Sequence, residues 1–330
     1  MTSIIKKYSG NPILSAADIK YPSSLIFNAG ICKFQGKYVM VFRNDVGYSP
    51  NGRTEKPYTN LGVAFSDDGI NWEAQGKPWD LPGRLLASDP EYNRFYDPRL
   101  TVIDNRCYLC FAIDTKHGIC GGIAVTDDFE NFEILSISTP DNRNMVLFPE
   151  KINGEFFRLE RPFPTYSCGG EFFDIWCGAS PDCRYWGKHK LVLGNEKVPF
   201  ANRKIGPGAP PVKTEAGWLT LFHAVKRHEN KVLNGWEQVD DPRFSWAKEY
   251  SAGIMLLDLN DPSKVIGMAS EPLICAEKDY ELDGFRGSVI FPGGMILEDS
   301  GEVKIYYGAA DTVECLATAD VNELIRFCGK

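Results

Sequence analysis

Ser66-Asp67-Asp68-Gly69-Ile70-Asn71-Trp72 and Thr126-Asp127-Asp128-Phe129-Glu130-Asn131-Phe132 are two copies of one turn. A hydroxyl residue, paired aspartates and an asparagine supply the side-chain oxygens that bond to nearby backbone N–H groups, and an aromatic residue closes each copy. Two apolar runs precede each turn: residues 38–43 and 61–65 before the first, 107–112 and 122–125 before the second. The same order returns at 156–161, 175–179 and Ser180-Pro181-Asp182, at 218–223, 253–257 and Asp258-Leu259-Asn260-Asp261, and at 303–308, 314–317 and Thr318-Ala319-Asp320. Five returns of a strand, strand, Asp-turn unit predict an all-β fold, a five-bladed β-propeller with about four strands per blade. A β-sandwich would also show short strands, but it gives no reason for one unit to recur. No shift in composition marks a boundary, so residues 1–330 are expected to form one domain. At the end of the chain Asp320 and Glu323 have the spacing of a capping pair, and Val321, Leu324, Ile325 and Cys328 share one helical face. A short amphipathic C-terminal helix on the last blade follows.

Composition narrows the partners. Of the 330 residues 43% are hydrophobic and 24% charged, values of a water-soluble globular chain with a substantial core. A net charge of −8 argues against nucleic acid or an anionic membrane, which both select basic surfaces. Any anion must be held by a local cluster of Lys and Arg. Met1-Thr2-Ser3-Ile4-Ile5-Lys6-Lys7-Tyr8 has no long apolar run behind its lysines, and the expected location is the cytoplasm. The ten cysteines are irregularly spaced and many sit in apolar runs, so reduced, buried thiols are expected. Cys107 and Cys110 formally make a CxxC pair, but residues three apart on a strand face opposite sides.

Phe95-Tyr96-Asp97-Pro98-Arg99 is the stretch that points to chemistry. Asp-Pro commonly opens turns, and Arg99 would then do no more than brace one. The proline should also push Asp97 into an extended conformation at the mouth of a strand. In a propeller, polar residues at the ends of inner strands converge on the axis. That rule selects Asn28, Arg43, Tyr96, Asp97, Arg143, Arg161, Lys204, His223 and Asp311. Each has a plain alternative: Arg43 and Arg161 as surface charges, Lys204 as a solvated loop residue, His223 as a core histidine. If Arg143, Arg161, Lys204 and His223 do converge, three cations and an imidazole in an acidic protein make an anion site, most simply one for phosphate. Gly206-Pro207-Gly208 and Pro292-Gly293-Gly294 match no nucleotide-binding fingerprint and read as turns. No metal-ligand spacing or serine-nucleophile elbow occurs, so no metal and no cofactor is expected.

Tyr96-Asp97-Pro98-Arg99, Arg143-Asn144 leading to Leu147-Phe148-Pro149-Glu150-Lys151, Arg161-Pro162, Ser180-Pro181-Asp182, Lys204-Ile205-Gly206, Gly217-Trp218-Leu219 with His223, and Tyr306-Tyr307-Gly308-Ala309-Ala310-Asp311 resemble, in order, the motifs of glycoside hydrolase family 130. The resemblance implies a five-bladed propeller and an inverting phosphorylase that cleaves β-mannosides with inorganic phosphate to give α-mannose 1-phosphate. It further implies Asp97 as general acid, Arg143, Arg161, Lys204 and His223 as the phosphate-binding set, and Asn28, Arg43, Tyr96 and Asp311 at or near sugar-contacting positions. The acid in this family passes its proton through a substrate hydroxyl. Some members are hydrolases with the basic positions replaced and a glutamate pair activating water; here those positions remain basic. Phosphate is already a nucleophile, so a cation cradle can replace the base an inverting hydrolase needs. Asp97 must be protonated to donate, and a partly desolvated site would raise its pKa. The rival readings are an inverting β-mannosidase, which would draw on Glu314-Cys315, and a non-catalytic carbohydrate-binding propeller, which leaves Asp97 and the cations without a task. The segment from Asp283 to Val289 and the long stretch 226–250, with Trp236 and Trp246, are expected to border the leaving-sugar side, and the long stretch could instead make a contact in a homo-oligomer.

Overall fold

The computed structural model describes residues 4–79, 91–163, 173–229 and 247–329. Five antiparallel sheets, blades I to V, follow one another around an axis. Their innermost strands are Leu25–Phe34, Tyr92–Ile103, Asn142–Leu147, Lys204–Pro207 and Ile290–Leu297. Their second strands are Lys37–Ser49, Arg106–Thr115, Phe156–Pro162, Gly217–Arg227 and Glu302–Ala309. The recurring apolar runs are thus the second and third strands of each blade. Lys6–Lys7, at the other end of the chain, supplies the outermost strand of blade V, pairing Lys6 with Thr318. This seam is held by a buried Glu281, which accepts from Lys7 Nζ at 2.8 Å and from Tyr307 Oη at 2.9 Å.

The aspartate turns close the blades as the sequence suggests. Asp68 Oδ1 accepts from the N–H groups of Ile70 and Asn71, both at 2.8 Å. Asp128 and Asp182 repeat the arrangement in blades II and III. In blade V the equivalent residue, Asp320, instead caps the helix Val321–Phe327, accepting from Asn322 N and Glu323 N at 2.9 and 3.1 Å. Leu324 and Cys328 of that helix are buried in the core of blades IV and V.

Four of the five innermost strands are broken by a register shift near the axis: at Phe27/Gly30, Tyr96/Arg99, Arg143/Val146 and Pro292/Gly294. A bulge inserts a residue, bends the strand and re-aims a side chain. In blades I to III the inserted residues Asn28, Asp97 and Asn144 take left-handed backbone angles, with φ of 55°, 52° and 57°. Asp97 is therefore not extended at the mouth of a strand. It lies inside Tyr92–Ile103, where ladder bonds on both sides hold a conformation that the following proline alone would not select. The glycine segments expected as turns also run in or beside innermost strands. A Cβ on Gly293 would stand 2.0 Å from Ala29 O, and one on Gly208 would stand 2.8 Å from Pro292 Cγ. Neighbouring blades approach so closely there that no side chain fits.

The stretch 226–250 begins and ends as ladder, with Arg227 opposite Lys248; Trp236 and Trp246 lie outside the described residues. Among the described residues nine cysteines are free and eight of those are buried. Cys107 and Cys110 enter different core clusters. Among the described residues no helix is long and apolar enough to cross a membrane.

Candidate active site

The bulges at Asn28 and Asp97 turn their side chains into a pocket of about 220 Å³. All nine residues selected from the sequence line it. Asn28, Asp97, Arg143 and Lys204 come from innermost strands, while Arg43, Arg161 and His223 stand on second strands and Asp311 on the turn after Ala309. The strand-end rule was thus too narrow: second strands also reach the site, His223 opposite Gly206, where a Cβ would stand 2.5 Å from the imidazole.

On one side Asp97 meets blade I. Its Oδ1 accepts from Asn28 Nδ2 at 2.9 Å and lies 3.7 Å from Arg43 Nη1. Arg43 is mainly engaged elsewhere: its Nε and Nη2 grip Asp45 at 2.9 and 2.6 Å, and its guanidinium covers the rings of Phe27 and Tyr96. Tyr96 donates to Asp114 at 2.8 Å and accepts from Arg143 Nη1 at 3.2 Å. Burial pushes the Asp97 carboxyl up, but Arg43, Arg99, Arg143 and the Asn28 amide outweigh it and hold the pKa below the usual value. The expected upward shift is therefore absent: three guanidiniums close to one carboxylate outweigh its desolvation.

Arg99 does more than brace a turn. It is buried and donates from Nε to Gly208 O at 2.8 Å and from Nη1 to Asn28 O and Pro98 O at 3.1 and 2.6 Å. One guanidinium thereby ties blades I, II and IV together beneath the pocket.

The other side is a cluster of cations. Arg161 is 1% exposed, and its Nη1 lies 2.9 Å from His223 Nε2. Its Nε and Nη2, together with Arg143 Nε and His223 Nδ1, have no hydrogen-bond partner among the described residues. Burial and the neighbouring Arg143 push Arg161 down to about 9. Burial, then Arg161 and Arg143, hold Lys204 well below its ordinary value. Burial, then Arg161 and Lys204, do the same to His223, which is a neutral imidazole rather than a further cation. With Arg161 donating to Nε2, the ring proton of His223 falls on Nδ1. A buried arginine and a half-buried lysine depressed by their cationic neighbours, with donors left over, suit a bound oxyanion.

Sequence reasoning missed several lining residues: Tyr48 and Arg53 from the long hairpin of blade I, Arg94, Tyr250 and Phe291. Tyr250 was in view as the end of the long stretch; the others carried no signal apart from their place in the fold. Phe285, Arg286 and Val289 also line the pocket, which places the Asp283-to-Val289 segment at its border as expected. Tyr48 and Phe285 meet edge to face at 5.1 Å, and Arg286 Nη1 lies 3.4 Å from Asp311. Glu314 is fully buried and absent from the lining, so it is not placed to activate water.

A five-bladed propeller whose pocket gathers Asp97, Arg143, Arg161, Lys204 and His223 is the architecture and residue set of one carbohydrate-active class. The chain belongs to glycoside hydrolase family 130: the family model described as β-1,4-mannooligosaccharide phosphorylase matches residues 6–330. The chain is 32% identical over 339 residues to a β-1,4-mannooligosaccharide phosphorylase of Ruminococcus albus, covering 98% of this chain and 90% of that protein. It is 34% identical over 267 residues to a β-1,2-mannobiose phosphorylase of Listeria innocua, covering 80% of this chain and 67% of that one. The solved structure of a Listeria innocua β-1,2-mannobiose phosphorylase with β-1,2-mannobiose superposes with a TM-score of 0.79 at 25% identity, covering 100% and 99% of the two chains.

Proposed function

We propose that this protein is an inverting phosphorylase of β-mannosides, releasing α-mannose 1-phosphate. The observation that carries the proposal is the set of unpartnered donors on Arg161, Arg143 and His223, residues that line the same pocket as Asp97. Arg143, Arg161 and Lys204 bind phosphate as cations, and His223 donates from Nδ1. Asn28, Arg43, Tyr96 and Asp311 supply the mixed donors and acceptors that hold sugar hydroxyls. A phosphate oxygen attacks the anomeric carbon from the face opposite the leaving sugar, the C–O bond to that sugar breaks, and the configuration inverts from β to α. The leaving oxygen takes its proton from Asp97, directly or through a substrate hydroxyl.

The charge balance links the two halves. Free Asp97 is held ionised by its arginines. A phosphate on Arg143 cancels part of that field and adds a like charge, so the Asp97 pKa moves up as phosphate enters, in the direction a proton donor needs. A hydrolase would need a second carboxylate free to activate water. Among the described lining residues Asp45 is committed to Arg43 and Thr59, and Asp311 is paired with Arg286.

The relatives are named for both β-1,4 and β-1,2 substrates, so the proposal fixes the mannosyl group and phosphate rather than the linkage. The test is incubation with β-1,4- and β-1,2-mannobiose, with and without inorganic phosphate, followed by assay of mannose 1-phosphate. Cleavage at an equal rate without phosphate overturns the proposal.

A further inference from the structure

Glu314 is a buried acid that the reaction above does not use. It opens the third strand of blade V, opposite Gly308 on the second. Its side chain crosses into blade I, where Oε2 accepts from Ala29 N at 3.1 Å. Ala29 follows Asn28, the left-handed residue whose amide donates to Asp97 at 2.9 Å. The carbonyl of Asn28 is held by Arg99 Nη1 at 3.1 Å. Gly308 lies against the same residue, since a Cβ there would come within 2.6 Å of Asn28 Oδ1 and 2.8 Å of Asn28 N. The peptide following Asn28 is therefore fixed on both sides, its carbonyl by Arg99 and its N–H by Glu314.

We propose that Glu314 is a positioning residue for Asp97: by accepting the Ala29 N–H it fixes the bulge at Asn28, and through Asn28 it sets the geometry of the acid. The inference rests on Asp97 being the acid of the proposed phosphorolysis. Asn28 is a left-handed non-glycine residue inside a strand, a conformation that persists only where its surroundings hold it. Glu314 needs only its acceptor oxygen for this task. Burial pushes its carboxyl up to about 8, so it is neutral near pH 7. Oε1 has no partner among the described residues, and an amide nitrogen there would displace no bond.

The experiment compares Glu314→Gln, which keeps the acceptor, with Glu314→Met, which removes it at similar length. Wild-type phosphate-dependent turnover is measured first; without it, the reading of the site fails and the variants are not needed to show that. Given wild-type turnover, Glu314→Gln should keep kcat within about threefold. Glu314→Met should lower kcat about 10- to 100-fold, the scale of a misplacement near 1 Å. The KM for phosphate, which binds on the far side of the pocket, should stay within about twofold. Adding Glu314→Met to Asn28→Ala should cause no further loss of kcat, because both act through the same contact. A general loss of stability would not produce that pattern. The proposal is overturned if Glu314→Gln loses as much activity as Glu314→Met, if Glu314→Met keeps wild-type kcat, or if the two losses in the double variant multiply. Should Glu314→Met fail to fold, the Gln variant decides alone: retained kcat supports positioning, and a loss beyond tenfold overturns it.

Discussion

Replacing Arg161 by methionine should make the phosphate-free protein more stable while abolishing its response to phosphate. Arg161 is 1% exposed, and burial beside Arg143 depresses its guanidinium well below the ordinary arginine range, to about 9. At about 1.4 kcal/mol per tenfold change in the proton equilibrium, that depression sets a ceiling of about 5 kcal/mol on the penalty carried by the charged form. Methionine removes the penalty but gives up the contact with His223 Nε2 and the packing of the guanidinium over Phe163 and Phe173. Those losses amount to about 2–3 kcal/mol, leaving a net gain of at most about 2–3 kcal/mol. Denaturant unfolding of both proteins in phosphate-free buffer measures the difference. Saturating phosphate should then stabilise the wild type, by about 2.7 kcal/mol at a hundred times the dissociation constant, and should leave Arg161→Met unchanged. A variant less stable than the wild type without phosphate, yet equally stabilised by it, would show that the cluster is a structural feature and not an anion site.

Asp97→Asn should lower turnover by at least about 10²-fold with an unchanged melting temperature and intact phosphate binding, checked by kinetics and calorimetry. Lys204→Met should raise the apparent KM for phosphate, read from initial rates over a phosphate series, and a value equal to wild type would place the lysine outside the cradle. The pH dependence of stability should differ between wild type and Glu314→Gln. A folded pKa near 8 against an ordinary 4.5 means that the stability contributed by neutral Glu314 is fully present below about 4.5 and is lost as pH rises through about 8. The advantage of the Gln variant should therefore grow over that window to a few kcal/mol and then level off, as unfolding curves across pH would show.

The blade count and the meeting of the nine selected residues in one pocket were legible in the sequence because they rest on features that repeat or stand out. Second and third strands are continuous apolar runs, and the aspartate turns that follow the third strands use side-chain oxygens that few other residues provide. The innermost strands were harder to see. Phe27-Asn28-Ala29-Gly30, Tyr96-Asp97-Pro98 and Phe291-Pro292-Gly293-Gly294 carry glycine, proline and polar residues, which read as breaks. Those residues are there because the strands meet at the axis, where backbone lies against backbone and bulges aim side chains into the pocket. Asp97 was found, but its conformation and charge were misread for the same reason. Its left-handed angle comes from the ladder around it, and its depressed pKa from Arg43 and Arg143, far away in the chain, together with Arg99 beside it. Arg99 was undervalued because its partners, Gly208 O and Asn28 O, are backbone atoms of other blades that no pattern in the sequence points to.

The central claim is that phosphate, not water, takes the mannosyl group. The direct measurement follows cleavage of β-mannobiose by phosphorus NMR while phosphate is lowered stepwise to zero. One α-mannose 1-phosphate should appear for each bond broken, and the rate should fall to nothing with the phosphate. Free mannose released at an undiminished rate without phosphate would contradict the account.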